Sequence, residues 1–473
     1  MAVLGTFMVL AIVVAATLAQ LIERLYLIAF GLLLFGYAYF GRAFAHVGIP
    51  PVFVGETVLA LGLLTMLTNP RRWAAFQSPI AWAYLVFAAW GMARAIPFLP
   101  IYGVDVLRDS VTWGYGVFAL LVPAVVFRVQ RLPGILTYYA RWVPVLLLWM
   151  PVGLIGDHMF AHLLPQAQGS GEPMSFVKPG DAGVHLAGAA TFLLLGLHHA
   201  PGVRARRGPL GAEWFLGPLC ALVFLVIGVL GRGGAVAAFM GIGLVLAIRP
   251  LVALPKALLV IATGVVAALV LLATNLTVEL GRRDFSAYQL GSNLLSIVGD
   301  APADEQGLED TKDWRLRWWT HIIDYTVYGP YFWTGKGFGI NLAIDDGVRQ
   351  EAELRSPHSG HMSVLARMGV PGEVLWIVLQ GTFGLSMLGG YLRARRAGRE
   401  WWARLDLWVL AYWLASLTEV SFAVYLEAPP GGIWFWTLMG FGMALLLAQR
   451  QLQTESGWVV SPPTYQHEAA ASS

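Results

Sequence analysis

Charge is what this sequence has least of. Only 12% of its 473 residues are Asp, Glu, Lys or Arg, about half of the roughly 25% found in soluble globular proteins. Hydrophobic residues make up 57%, and the mean hydropathy is +0.65. This deficit excludes a soluble enzyme, a disordered chain and a nucleic-acid-binding domain. Cysteine is almost missing too: Cys220 stands alone, in an apolar run. It can form neither an intramolecular disulfide nor a thiolate metal site, and it reads as a small buried apolar residue. No Lys or Arg precedes the apolar N-terminal stretch, as a cleaved secretory signal would require, so that stretch is expected to stay as a helix. A net charge of +3 is too mild to indicate a polyanionic partner.

Apolar runs of membrane-crossing length are what the sequence has in plenty. A helix needs about 20 apolar residues to cross the hydrocarbon core. Thirteen candidates approach this: 2–19, 25–40, 52–68, 79–96, 110–127, 142–156, 184–198, 214–231, 234–249, 257–275, 362–391, 402–419 and 431–449. The expected fold is therefore an all-α polytopic membrane protein with about 12–13 transmembrane helices. Basic residues set its orientation. With the N-terminus outside, the inner loops hold more than half of the 31 Lys and Arg. An even helix count would move the N-terminus inside and leave the rest unchanged.

Four regions follow. Residues 1–275 carry helices one to ten, and 276–361 form one large extracytoplasmic loop domain between the tenth and eleventh helices. Residues 362–449 carry the last three helices, and 450–473 a cytoplasmic tail expected to be disordered. The loop domain holds 13 acidic and 8 basic residues, and a loop of that length is expected to fold and carry function.

Polar residues gather at a few outer places. Gly231-Arg232-Gly233-Gly234 makes a tight turn that fixes a cation at the membrane boundary. Arg232 reads as a phosphate clamp or as an arginine snorkelling to headgroups. In Asp313-Trp314-Arg315-Leu316-Arg317-Trp318-Trp319, Arg315 and Trp319 share one helix face. That pair suits a sugar–phosphate ligand, and equally an amphipathic helix at the interface. Gly335-Lys336-Gly337-Phe338-Gly339 could cradle phosphate, but it lacks a Walker A sequence and also reads as a plain turn. In Ser356-Pro357-His358-Ser359-Gly360-His361, a histidine at the boundary can act as general base. His358 and His361 could instead bind metal with Asp345, Asp346, Glu351 or Glu353. A second outer loop, 157–183, adds Lys178 and Asp181. Facing arginines, a base and aromatic surfaces suit a reaction on a lipid-linked diphosphate.

These residues resemble the O-antigen ligase and O-antigen polymerase superfamily of bacterial envelope glycan enzymes over about 180–445. The family's ligases carry a His followed by Asn, Ser or Gln, nine residues, then G-x-x-G. Here His358 and Ser359 are followed by nine residues, Gly369 and Gly372. The family's R-x-x-x-W, Pro and G-x-G series is similar to Arg315, Trp319, Pro330 and Gly335-Lys336-Gly337, and Arg232 resembles its essential arginine. The segment 331–334 lengthens the approach to the glycine turn.

The resemblance implies an inverting, metal-independent glycosyl transfer that needs no cofactor. The donor would be an undecaprenyl-diphosphate-linked glycan, and the acceptor a hydroxyl of a glycan or lipid, outside the bacterial inner membrane. By position His358 takes the catalytic histidine role, and Arg232 and Arg315 the arginine roles. Arg317, Trp319, Lys336, Gly337, Lys178 and Asp181 are candidate substrate contacts. A polymerase would use the same chemistry. A flippase of lipid-linked sugars would instead place charge at helix centres, which are nearly free of it here. A metal-dependent multi-helix transferase would resemble a pattern with acids in the first outer loop, and 41–51 has none.

The topology is testable with a reporter that is active only outside the cytoplasm. Fused after Asp346 it is expected to be active, and fused after Arg399 inactive. The reverse pattern would invert the orientation.

Overall fold

The computed structural model describes residues 2–456 except 51, 69, 166–176, 206–207, 209–212, 275–276, 281–282, 299–305 and 349–353. The chain is an all-α polytopic membrane protein. Its first helix, α1 (Ala2–Ala45), corrects one expectation: 2–19 and 25–40 are a single helix, deviating from helical geometry at Gly41, where φ is +44°. The intervening Gln20-Leu21-Ile22-Glu23-Arg24 holds no Gly or Pro to end a helix. Its charge is accommodated by pairing, with Glu23 3.2 Å from Arg131. The stretch of spanning character is Thr17–Ala45.

A small hairpin, β1 (Gly48–Ile49) and β2 (Val52–Phe53), leads to α2 (Val54–Leu67) and α3 (Pro79–Ala95). The expected span 110–127 starts earlier. After a short α4 (Leu99–Tyr102), α5 (Val104–Gly114) is helical from Val104, and a 43° bend separates it from the segment that opens with α6 (Val117–Leu121). Next come α7 (Leu132–Met159), longer than the expected 142–156, then α8 (Pro179–Leu194), α9 (Glu213–Leu230), α10 (Arg232–Ile248) and α11 (Pro250–Ala273).

The segment between α11 and the next long helix has its own structure. It holds a hairpin, β3 (Val278–Leu280) with β4 (Arg283–Phe285), then α12 (Ala287–Val298), α13 (Gln306–Thr326) and α14 (Leu342–Asp345). Trp318, Ile322 and Tyr325 of α13 bury against Leu342, Ala343, Leu365 and Ala366. The long α15 (Gly360–Arg396) and α16 (Glu400–Phe422) follow, and α17 (Pro429–Ser456) continues into the expected tail. Among the described residues, five helices are individually long and apolar enough to cross a membrane, and a sixth if the bent pair counts as one span.

The centre of the bundle is α8, α10 and α16. Small residues let their backbones approach closely, as packing inside a membrane favours. A Cβ on Gly183 would overlap the Gly234 carbonyl, and one on Gly234 the Pro179 carbonyl. Lower down, a Cβ on Gly241 would sit 2.9 Å from the Ala411 carbonyl oxygen. Tyr412 takes the space beside Gly188. This trio brings the N-terminal ends of α8 and α10 together, beside the C-terminal end of α16.

Gly234→Ala should therefore lower stability by about 2 kcal/mol or more. Gly243 lies on the same helix with nothing within 4 Å of an added Cβ. Gly243→Ala should be neutral or slightly stabilising, because alanine is the better helix former. Thermal unfolding in detergent compares the two, and equal losses would show that close helix approach is not what Gly234 provides.

Candidate active site

The site is built around a broken helix. In α15, Gly369 has φ +70° and ψ −173°, and Pro371 follows with no N–H. Carbonyls one turn earlier thereby lose their helical donors. Other groups replace them: Lys336 N–H donates to Ala366 at 2.7 Å, Gly337 N–H to Arg367 at 3.1 Å, and the Trp90 indole N–H to Met368 at 3.0 Å. The Val370 N–H is turned to Phe332, 2.8 Å away. The glycine turn is thus a dock for the break. Gly335, Gly337 and Gly339 all have positive φ. A Cβ at Gly335 would run into the Arg367 backbone and one at Gly337 into the Phe98 ring.

Lys336 is engaged in the same dock. Its ammonium pairs with Asp345 at 2.6 Å and with Asp346, and it lies 4.3 Å from the Tyr325 ring centroid. Asp346 also accepts from the Trp318 indole at 2.5 Å. Burial opposes the Lys336 charge, but the two carboxylates outweigh it and its pKa rises. This leaves the turn without the unneutralised cation a phosphate cradle needs, and it occupies two carboxylates considered for a metal site. Glu351 and Glu353, also considered, lie outside the described residues. Among the described residues no group of three or more His, Cys, Asp and Glu is placed to hold a metal ion.

Helix α13 lies against the start of α15. The four-residue spacing sends Arg315 and Trp319 to one segment. The Trp319 indole donates to the Pro357 carbonyl at 2.8 Å, and Arg315 Nη2 lies 3.4 Å from His358 Nδ1. Arg315 also donates to the Phe422 carbonyl at 3.2 Å and lies 5.6 Å from the Trp314 ring. The His358 ring meets Trp314 edge-on at 5.7 Å. His358 has φ +54°, the one positive value at a non-glycine among the described residues. Backbone strain of that kind clusters at active sites and ligand clamps. Arg317 is on the exposed side of α13.

Arg232 opens α10 and Asp181 lies in the first turn of α8, with Lys178 as its N-cap. Glu419, near the end of α16, fills the space that side chains at Gly180 and Gly233 would take. It is 5% exposed, and its Oε2 has no hydrogen-bond partner among the described residues. Asp181, Lys178 and Arg315 all act electrostatically on it. Burial pulls the Arg315 guanidinium below its ordinary value, Arg232 adds to that and Glu419 opposes it. Arg232, Arg315, His358, Trp319, Lys178 and Asp181 are thus at one end of the bundle. The N-terminal ends of α8, α10 and α15 meet there too, and helix N-termini favour anions.

The sequence reading missed a second cluster. Asp109, buried on α5, lies 2.8 Å from Arg367 and 3.2 Å from Arg355 and accepts the Gly339 N–H at 2.8 Å. It also missed Glu419 as a neighbour of the arginines.

The surroundings of Lys336 give a test. Removing it leaves Asp346 buried without its cation, so Lys336→Gln should cost roughly 3 kcal/mol. Because the folded pKa is raised, the stabilisation is complete below the ordinary lysine value and is lost as pH rises through the raised one. The difference in melting temperature from wild type should therefore shrink at strongly alkaline pH. A pH-independent gap would rule out the ion pair as its source.

The family model described as O-antigen ligase matches residues 217–377. The match takes in Arg232, Arg315, Arg317, Trp319, Lys336, Gly337 and His358, and leaves out Lys178, Asp181, Asp109 and Glu419. No curated protein is similar enough to the chain to count as a relative. The histidine, the two arginines and the glycine break all lie inside that stretch, so residues 217–377 are similar to the O-antigen ligase family where the candidate site is built.

Proposed function

We propose that this protein is a glycosyltransferase moving a glycan from an undecaprenyl-diphosphate-linked donor to an acceptor hydroxyl on the outer side of the inner membrane. The observation that carries the reading is Arg315, which reaches His358 at 3.4 Å and shares its surroundings with Arg232. A diphosphate brings negative charge to both arginines and matches the bidentate geometry of guanidinium. The convergent helix N-termini add to the same preference.

In this reading Arg232 and Arg315 hold the diphosphate and stabilise the charge that grows on it as the sugar–phosphate bond breaks. His358 takes the proton of the attacking hydroxyl. Attack from the face opposite the leaving diphosphate inverts the anomeric carbon. Lys178 and Asp181 border the same space and are proposed to contact donor or acceptor. Trp319 holds the 357–358 segment in place. Transfer is proposed to need no metal, and EDTA should leave its rate unchanged.

Purified protein supplied with a lipid-diphosphate glycan tests this. Arg232→Ala, Arg315→Ala and His358→Ala are each expected to slow transfer by about 10²–10⁴-fold. Lysine at either arginine position should restore little, because it lacks the planar fork. Wild-type rates in His358→Ala and Arg232→Ala would overturn the mechanism. The glycan profile of a deletion strain separates a ligase from a polymerase of the same chemistry. Core without polymer marks a ligase, and core with a single repeat unit marks a polymerase.

A further inference from the structure

We infer that Asp109 is a positioning residue for His358, acting from outside the site through both flanks of the histidine. The inference rests on the reading of His358 as the base. Asp109 is 7% exposed, on a helix that belongs to the bundle and not to the loop domain. Arg355 precedes His358 by three residues; its Nη2 donates to both Asp109 oxygens, at 3.4 and 3.2 Å, and to the Gly339 carbonyl at 3.1 Å. Arg367, on the far side of His358, is 2% exposed, lies 2.8 Å from Asp109, and donates to the Ile340 carbonyl at 3.2 Å. The Gly339 N–H donates to the same carboxylate.

Asp109 therefore ties the chain before the histidine, where Arg355 also lies 3.7 Å from Asp105, to the helix after it and to the turn that docks the helix break. Between these anchors His358 has φ +54°. A histidine leaves that backbone region readily unless its surroundings hold it. Asp109 contacts neither His358 nor the arginines of the site. Its loss should move the imbalance into the chemical step and leave donor binding alone.

The experiment measures kcat and donor KM separately for the full-length protein in detergent, with folding checked by circular dichroism and melting temperature. Asp109→Asn is expected to lower kcat at least 10-fold while the donor KM stays within about threefold. Asp109→Glu should recover part of the loss. Asp406→Asn is the control: Asp406 is a buried carboxylate bonded to Gln449 on α16 and α17. It should lose stability and keep its kcat. If Asp109→Asn does not fold, Arg355→Lys is read for the same split.

An unchanged kcat in folded Asp109→Asn, or a raised KM at constant kcat, would overturn the inference. His358→Ala is run in parallel. If it transfers at the wild-type rate, the functional reading has failed and this inference with it. If it is inactive while Asp109→Asn is normal, only this inference has failed.

Discussion

A helix that breaks within a bundle uncovers carbonyls that water cannot reach, and the break at Gly369 sets that demand for the whole end of the bundle that carries the candidate site. A buried backbone acceptor without a donor is expensive, on the order of 1–3 kcal/mol. Three such carbonyls in a row need three donors at fixed positions. The glycine turn supplies two and Trp90 of α3 the third. The turn can approach only because its glycines carry no side chains and accept positive φ. The segment between α11 and α15 is thus placed by hydrogen bonds to a helix end, and α13, with Arg315 and Trp319, is placed by packing on the same first half of α15.

Charge follows a related logic. Outside the candidate site, two buried ions have opposite charges beside them: Asp109 has Arg355 and Arg367, and Lys336 has Asp345 and Asp346. In surroundings of low dielectric a pair of this kind orients its partners more than it stabilises them. At the candidate site like charges are neighbours: Arg232 acts on Arg315 as a second cation, and Glu419 acts on it with the opposite sign.

Much of this was legible because its signals are local. The spacing of Arg315 and Trp319 put them on one face, and both reach residues 357–358. The interval from His358 to Gly369 is the length of helix before the break. What the sequence hid depends on distant partners. Asp109 and Arg355 are 246 positions apart, and Trp90 and Met368 278. No pattern in either segment announces the other. The glycine turn was ambiguous for the same reason, since only the carbonyls of 366 and 367 decide between a phosphate cradle and a dock. The division of α1 into two helices has a different origin: the polar stretch with Arg24 separates two apolar runs, although nothing there interrupts helical hydrogen bonding.

His358 occupies a backbone conformation in which glycine would rest without strain. An L-residue there sacrifices about 1 kcal/mol, and that sum is drawn from the stability of the folded state. The position is therefore one where stability and activity pull in opposite directions. Selection for stability alone would replace the imidazole with a hydrogen atom. A screen for thermostable variants of this protein would have to be run with activity as a second filter, or it would erode the site first at its most strained residue.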